Sequence, residues 1–200
     1  MKVLAACEYS GTVRDAFTRA GHEAFSCDLL PTETEGFHYQ GDIRDYLLDI
    51  KWDLMIAHPP CTYMANSGVS WLHKRPERWG QLNDAAEFFN LLWNADIPRI
   101  CIENPVPHKY AVAMLDPGKY TQTIQPYQFG HPESKRTCLW LKDLPPLEAT
   151  MILEKPSCGY WDNQTPSGQN KLGPSPDRWK LRSTFYKGVA DAMADQWGNL

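Results

Sequence analysis

The 200-residue chain has no apolar run near the ~18 residues that a membrane-spanning helix needs. Its start, MKVLAACEYSGTVRD, turns polar at Glu8, too early for the apolar region of a secretory signal, so a cytoplasmic protein is expected. Six Cys are present, but no CxxC and no His/Cys ligand spacing, so no metal site is expected. In a reducing compartment these Cys stay free thiols. Positive charge is not in excess either: 20 Lys and Arg against 24 Asp and Glu give a net charge of −4. That excludes a basic nucleic-acid coat, though not a local basic face. Repeats, low-complexity tracts and a GxGxxG loop are all missing. With 42% apolar and 22% charged residues the chain is an ordinary globular one, not a disordered one.

What is there alternates between strand-like and helix-like segments. KVLAAC (residues 2–7) reads as a strand, and Thr12–Ala20 as a helix with Val13, Ala16, Phe17 and Ala20 on one face. Residues 22–29 form a second strand ending near Asp28, followed by a short helical piece at 44–48 after Asp42. WDLMIA (52–57) is the clearest buried strand and runs into His58-Pro59-Pro60-Cys61. A long helix is expected over 76–95, with Leu82, Ala85, Ala86, Phe89, Leu92 and Trp93 on its apolar face. PRICIE (98–103) and TCLWL (137–141) are further strands, and 185–197 is a closing amphipathic helix. Alternation of this kind implies one α/β domain, with a mostly parallel sheet covered by helices on both faces. Residues 145–181, rich in Pro, Gly, Asn and Ser, read as irregular loop.

Ligands of open α/β sheets bind beyond the carboxyl ends of the strands. The unusual residues collect at such ends: Glu8 to Gly11, Asp28, Cys61, and Glu103 with Asn104. An acidic residue after the second strand suits ribose hydroxyls, and Asp42 suits an adenine amino group. A loop with one Gly fits an adenosine-containing ligand better than a phosphate chain. Cys61 follows two prolines that stiffen its turn, the setting of an exposed, fixed nucleophile. The plain alternative is a structural turn that happens to carry a Cys.

The ordered set CEYSG, SCDLLP, GD, HPPC, IENP and FGHPESKRT resembles the motif series of DNA (cytosine-5)-methyltransferases, especially the short phage and prophage forms. The likeness covers about residues 1–142 and 182–198. It implies a Rossmann-like fold dependent on S-adenosylmethionine, and methyl transfer to carbon 5 of cytosine in DNA, in the host cytoplasm if phage-encoded. On that pattern Cys61 is the nucleophile, preceded by Pro60, Glu103 engages ring N3, and Asn104 braces the Cys loop. Glu8, Tyr9, Ser10, Gly11, Asp28, Asp42 and Pro59 hold the methyl donor. Lys135, Arg136, Tyr63 and Arg178 face DNA, whose target base is flipped out.

The sequence departs from that pattern in three places. Glu8-Tyr9-Ser10-Gly11 replaces a richer glycine loop, and Glu133-Ser134-Lys135-Arg136-Thr137 replaces a Gln-x-Arg-x-Arg motif. Only about 143–181 stands where the family has a large target-recognition domain. That segment carries Tyr160, Trp161, Asn163, Gln164, Lys171, Arg178 and Trp179, a mixture suited to base stacking and phosphate contact. Two alternatives stay open: pyrimidine modification at the nucleotide level or with another one-carbon group, and a retired methyltransferase fold that only binds.

Overall fold

A computed structural model describes residues 1–45, 50–176 and 178–200, with the side chain of Trp179 left out. The helical piece expected at 44–48 lies mostly outside the described residues. Among the described residues one seven-stranded sheet forms from β1 (Lys2–Ala6), β2 (Glu23–Asp28), β3 (His38–Gln40), β4 (Leu54–Ala57), β5 (Arg99–Pro105), β6 (Gln122–Ile124) and β7 (Thr137–Lys142). The strand order is β3-β2-β1-β4-β5-β7-β6. The first five positions run parallel, whereas β7 is antiparallel to both β5 and β6.

The central strands are apolar at every position because both faces of the sheet are covered. Side chains alternate between two cores, as the two-residue repeat of a strand requires. Val3, Ala5, Leu54 and Ile56 pack under α1 (Thr12–Arg19) and α6 (Lys187–Trp197), against Phe17, Met193 and Trp197. Leu4, Ala6, Met55 and Ala57 face α3 (Arg78–Trp93), which buries Leu82, Ala86, Phe89 and Leu92 at helical spacing. Each of these large side chains contributes about 1.5–3 kcal/mol through burial. Ala85 and Trp93, expected on the same face, are only partly buried.

Two expectations change. The strand over 98–103 extends to Pro105, so Glu103 and Asn104 lie within β5 and not beyond it. The parallel partner β4 stops at Ala57, opposite Ile102, but antiparallel β7 keeps pairing through Asn104↔Cys138 and Pro105↔Thr137. The loop over 145–181 holds as irregular chain to 176, after which α5 (Arg178–Ser183) forms. Two short helices, α2 (Ser70–Lys74) and α4 (Lys109–Val112), complete the fold.

Arg14, 1% exposed, ties the chain after β2 to α1. Its guanidinium donates to Ser26 Oγ, Thr32 Oγ1, Thr34 Oγ1 and the Glu35 carbonyl, and pairs with Asp15.

Candidate active site

Four parallel strands deliver their carboxyl ends to one rim. At the end of β4, His58 N–H donates to the Ala6 carbonyl, and Pro59 and Pro60 then turn the chain. The turn closes through the Cys61 carbonyl, which accepts from Met64 and Ala65 N–H. Glu103 and Asn104 grip this turn from opposite faces of β5. Asn104 Nδ2 donates to the Pro59 carbonyl at 3.0 Å, and Glu103 Oε2 lies 3.2 Å from His58 Nδ1. His58 packs against Phe185 with ring centroids 4.7 Å apart.

The electrostatics of this cluster are coupled. Burial alone would raise the Glu103 carboxyl, but the His58 hydrogen bond and the nearby Lys135 charge together hold it below the usual range. Burial pushes the Cys61 thiol up, and the Glu103 charge pushes it further, against the opposing pull of Lys135 and Arg182. Lys135 is fixed by donating from Nζ to the Arg182 carbonyl at 3.0 Å. Burial also raises Cys27 and Cys138 to about 12, and Cys7 and Cys101 upward as well. Those four thiols are inert packing groups.

The loop after β1 is built around Glu8, whose Oε1 accepts from Ser10 Oγ and, at 3.4 Å, from Val13 N–H. Gly11 caps α1 with φ of 74°. A Cβ there would also stand 2.1 Å from Thr34 Oγ1, so only Gly fits. Tyr9 OH donates to the Lys180 carbonyl at 3.3 Å and meets Ser183 Oγ at 3.2 Å. Asp28 ends β2, accepts from Leu30 N–H, and is raised by burial. Asp42 is turned onto Arg44, whose hydrogen bonds lower its carboxyl to about 2.

Three buried polar atoms on this rim have no partner: Glu8 Oε2, His58 Nε2 and Asn104 Oδ1. Buried polar atoms are normally paired, so their gathering here marks the site. Of the residues expected to face DNA, Lys135 stands beside Glu103 and Cys61, and Tyr63 lies under the Arg78 guanidinium at 4.7 Å. Arg136 is exposed beside β7, and Arg178 is the first residue of α5. The sequence assigns His58 no role, although its place beside Pro-Pro-Cys is a usable signal, and it marks Lys180 and Arg182 only as members of a basic cluster from Lys171 to Arg182. Among the described residues no cluster of three or more His, Cys, Asp or Glu is arranged to hold a metal ion. No described helix is long and apolar enough to cross a membrane.

No family model and no curated protein matches the chain. Solved structures do. A proposed DNA modification methyltransferase encoded within an E. coli prophage superposes with a TM-score of 0.50 at 16% identity, over 76% of this chain and 52% of that one. The Entamoeba histolytica methyltransferase EhMeth follows with a TM-score of 0.45 at 19% identity, over 82% of this chain and 61% of its own. This chain thus spans about half the length of the first and three fifths of the second. The mixed α/β fold, with its seven-stranded, mostly parallel sheet, is the fold this chain shares with that prophage-encoded protein.

Proposed function

We propose that the chain transfers a methyl group from S-adenosylmethionine to carbon 5 of cytosine in DNA, through a covalent bond between Cys61 Sγ and carbon 6. One observation carries the reading. Adjacent residues of β5, Glu103 and Asn104, hold the Pro-Pro-Cys turn from both sides, which delivers thiol and carboxylate to the same end of the sheet.

In the free protein burial and the Glu103 charge favour Cys61 as a thiol, while His58 and Lys135 favour Glu103 as a carboxylate. When cytosine enters, Sγ bonds to carbon 6 as the thiol proton passes to the Glu103 carboxylate. Glu103 passes a proton to N3, which draws electrons from the ring and leaves carbon 5 nucleophilic. As the proton neutralises the carboxylate, the smaller of the two forces that hold Cys61 protonated falls away while burial remains, so attack and proton delivery favour one another. After methylation, loss of the carbon 5 proton and departure of the Cys61 sulfur restore the aromatic ring. A base paired in a duplex has to leave the stack to reach this turn. Lys135 and Arg182 supply positive charge beside it, and Arg136, Arg178 and Tyr63 extend the face toward the strand.

The rim after β1 and β2 fits the methyl donor. Glu8 Oε2, buried and unpaired, suits an ammonium group, and Asp28 suits a ribose hydroxyl. We assign Tyr9, Ser10, Gly11 and Pro59 to the same donor-binding rim. Asp42 reaches an adenine amino group only if its pair with Arg44 opens. S-adenosylmethionine, when bound, supplies an electrophilic methyl on a sulfonium.

The test is nucleoside mass spectrometry on unmethylated DNA incubated with the protein and S-adenosylmethionine, with Cys61→Ala alongside. 5-Methylcytosine made by the intact protein alone is expected. Product from the Cys61→Ala variant overturns the covalent route, and no product from either turns attention to dCMP as substrate.

A further inference from the structure

His58 sits between the turn of the nucleophile and the carboxylate, and no step above gives it a task. We propose that His58 is the positioning residue of Glu103: with its ring proton on Nδ1, it donates to Oε2 and leaves Oε1 as the oxygen that meets the base. The assignment rests on the reading of Glu103 given under the proposed function.

Three observations converge on it. The Nδ1 to Oε2 separation is 3.2 Å, within reach of a hydrogen bond. His58 Nε2 is buried without a partner. A proton there would be a buried donor with no acceptor, so the lone pair belongs on Nε2 and the proton on Nδ1. The ring is also held in place. Phe185 packs on it, its backbone N–H is bonded to the Ala6 carbonyl, and Pro59 fixes the chain that follows. Both side chains are close to nine-tenths buried, at 12% and 11% exposed, so water cannot take over the donor's role.

The charged and titratable groups around the pair come from every neighbouring element. Lys135 acts on Glu103 from the segment before β7, and Glu103 in turn acts on Cys61, Cys101 and Cys138. Asp28, at the end of β2, is coupled to His58. Only His58 among them is hydrogen-bonded to the carboxylate.

Two variants separate positioning from packing. His58→Asn places an amide donor close to Nδ1, and His58→Phe keeps a ring against Phe185 but has no donor. The first readout is the ¹³C carboxyl resonance of Glu103 in the free protein, identified by its loss in Glu103→Gln. It is expected to titrate at low pH in the native protein and in His58→Asn, and about one pH unit or more higher in His58→Phe. The second is turnover on DNA: kcat is expected to fall on the order of 10-fold to 100-fold in His58→Phe, the usual loss when a group that orients a functional side chain is removed. KM for DNA should stay unchanged, and His58→Asn should recover most of the rate. An unmoved Glu103 titration in His58→Phe, or equal damage in both variants, overturns the proposal. If the titration moves as expected but no protein methylates DNA, the His58 assignment stands and the substrate reading alone fails. Thermal melting of both variants shows whether either has lost its fold.

Discussion

Asn104→Ala tests the joint between β5 and the Pro59-Pro60-Cys61 turn. Asn104 is 2% exposed, and its Nδ2 is the donor to the Pro59 carbonyl. Truncation leaves that carbonyl without its side-chain donor, which costs ~1–3 kcal/mol for a buried polar group. It also removes Oδ1, which is buried and unpartnered, and so relieves part of that cost. A net loss of about 1–2 kcal/mol follows from the lower half of that range. At about 2–4 °C per kcal/mol for a chain of this size, Tm falls by roughly 2–8 °C. Asn104→Asp is the sharper variant. Its carboxylate has no donor for Pro59 and stands beside Glu103, so its folded pKa lies above its unfolded one. The charged form is therefore the destabilising one, and the loss in Tm should grow from pH 5 to pH 8. Differential scanning fluorimetry at both pH values reads this directly. An Ala variant melting within about 1 °C of the native protein refutes the bracing role, as does an Asp deficit that ignores pH.

Two further outcomes follow from the same geometry. Glu103→Gln removes a negative charge that pushes the Cys61 thiol up, so iodoacetamide should alkylate Cys61 faster than in the native protein. Peptide mass spectrometry reads the rates, with exposed Cys158 as the internal fast control, and an unchanged Cys61 rate refutes the coupling. Arg14→Met breaks the bonds to Ser26, Thr32, Thr34 and Glu35, and should cost ~2–4 kcal/mol in urea unfolding, with hydrogen exchange rising over 32–36. A midpoint equal to the native one shows that those bonds hold nothing together.

The strands were legible where their physics is local. Runs such as LMIA are apolar at every residue because both faces are covered, and that pattern needs no partner to be recognised. β3 and β6 are three residues each, too short for any repeat to show. The end of β5 was missed because the strand that prolongs it, β7, begins 32 residues after Pro105. Arg14 looks like a solvent-facing position of α1 by charge, but Ser26 of β2 and the returning chain at 32–36 close over it. At the site, Cys61 and Glu103 were marked by their turn and motif. The pairing of His58 with Glu103 depends on which way an imidazole points, and spacing carries no such information.

The way α5 is fastened bears on where the chain can take an insertion. Lys180 pairs with Glu33 and its carbonyl accepts from Tyr9, while the Arg182 carbonyl holds Lys135, so this helix is sewn to both sides of the rim. At the other end of the irregular segment, Asn163 exchanges two hydrogen bonds with Ser134, and Trp161 stacks flat on Tyr127 at 4.7 Å. Between these seams the described hydrogen bonds of residues 165–176 are to one another or to residues 163 and 164, apart from the Ser175 carbonyl, which accepts from Arg178 N–H. A stretch bonded mostly within itself between two fixed ends is a natural graft site, where a longer segment can be spliced without moving Cys61, Glu103 or the loop of Glu8.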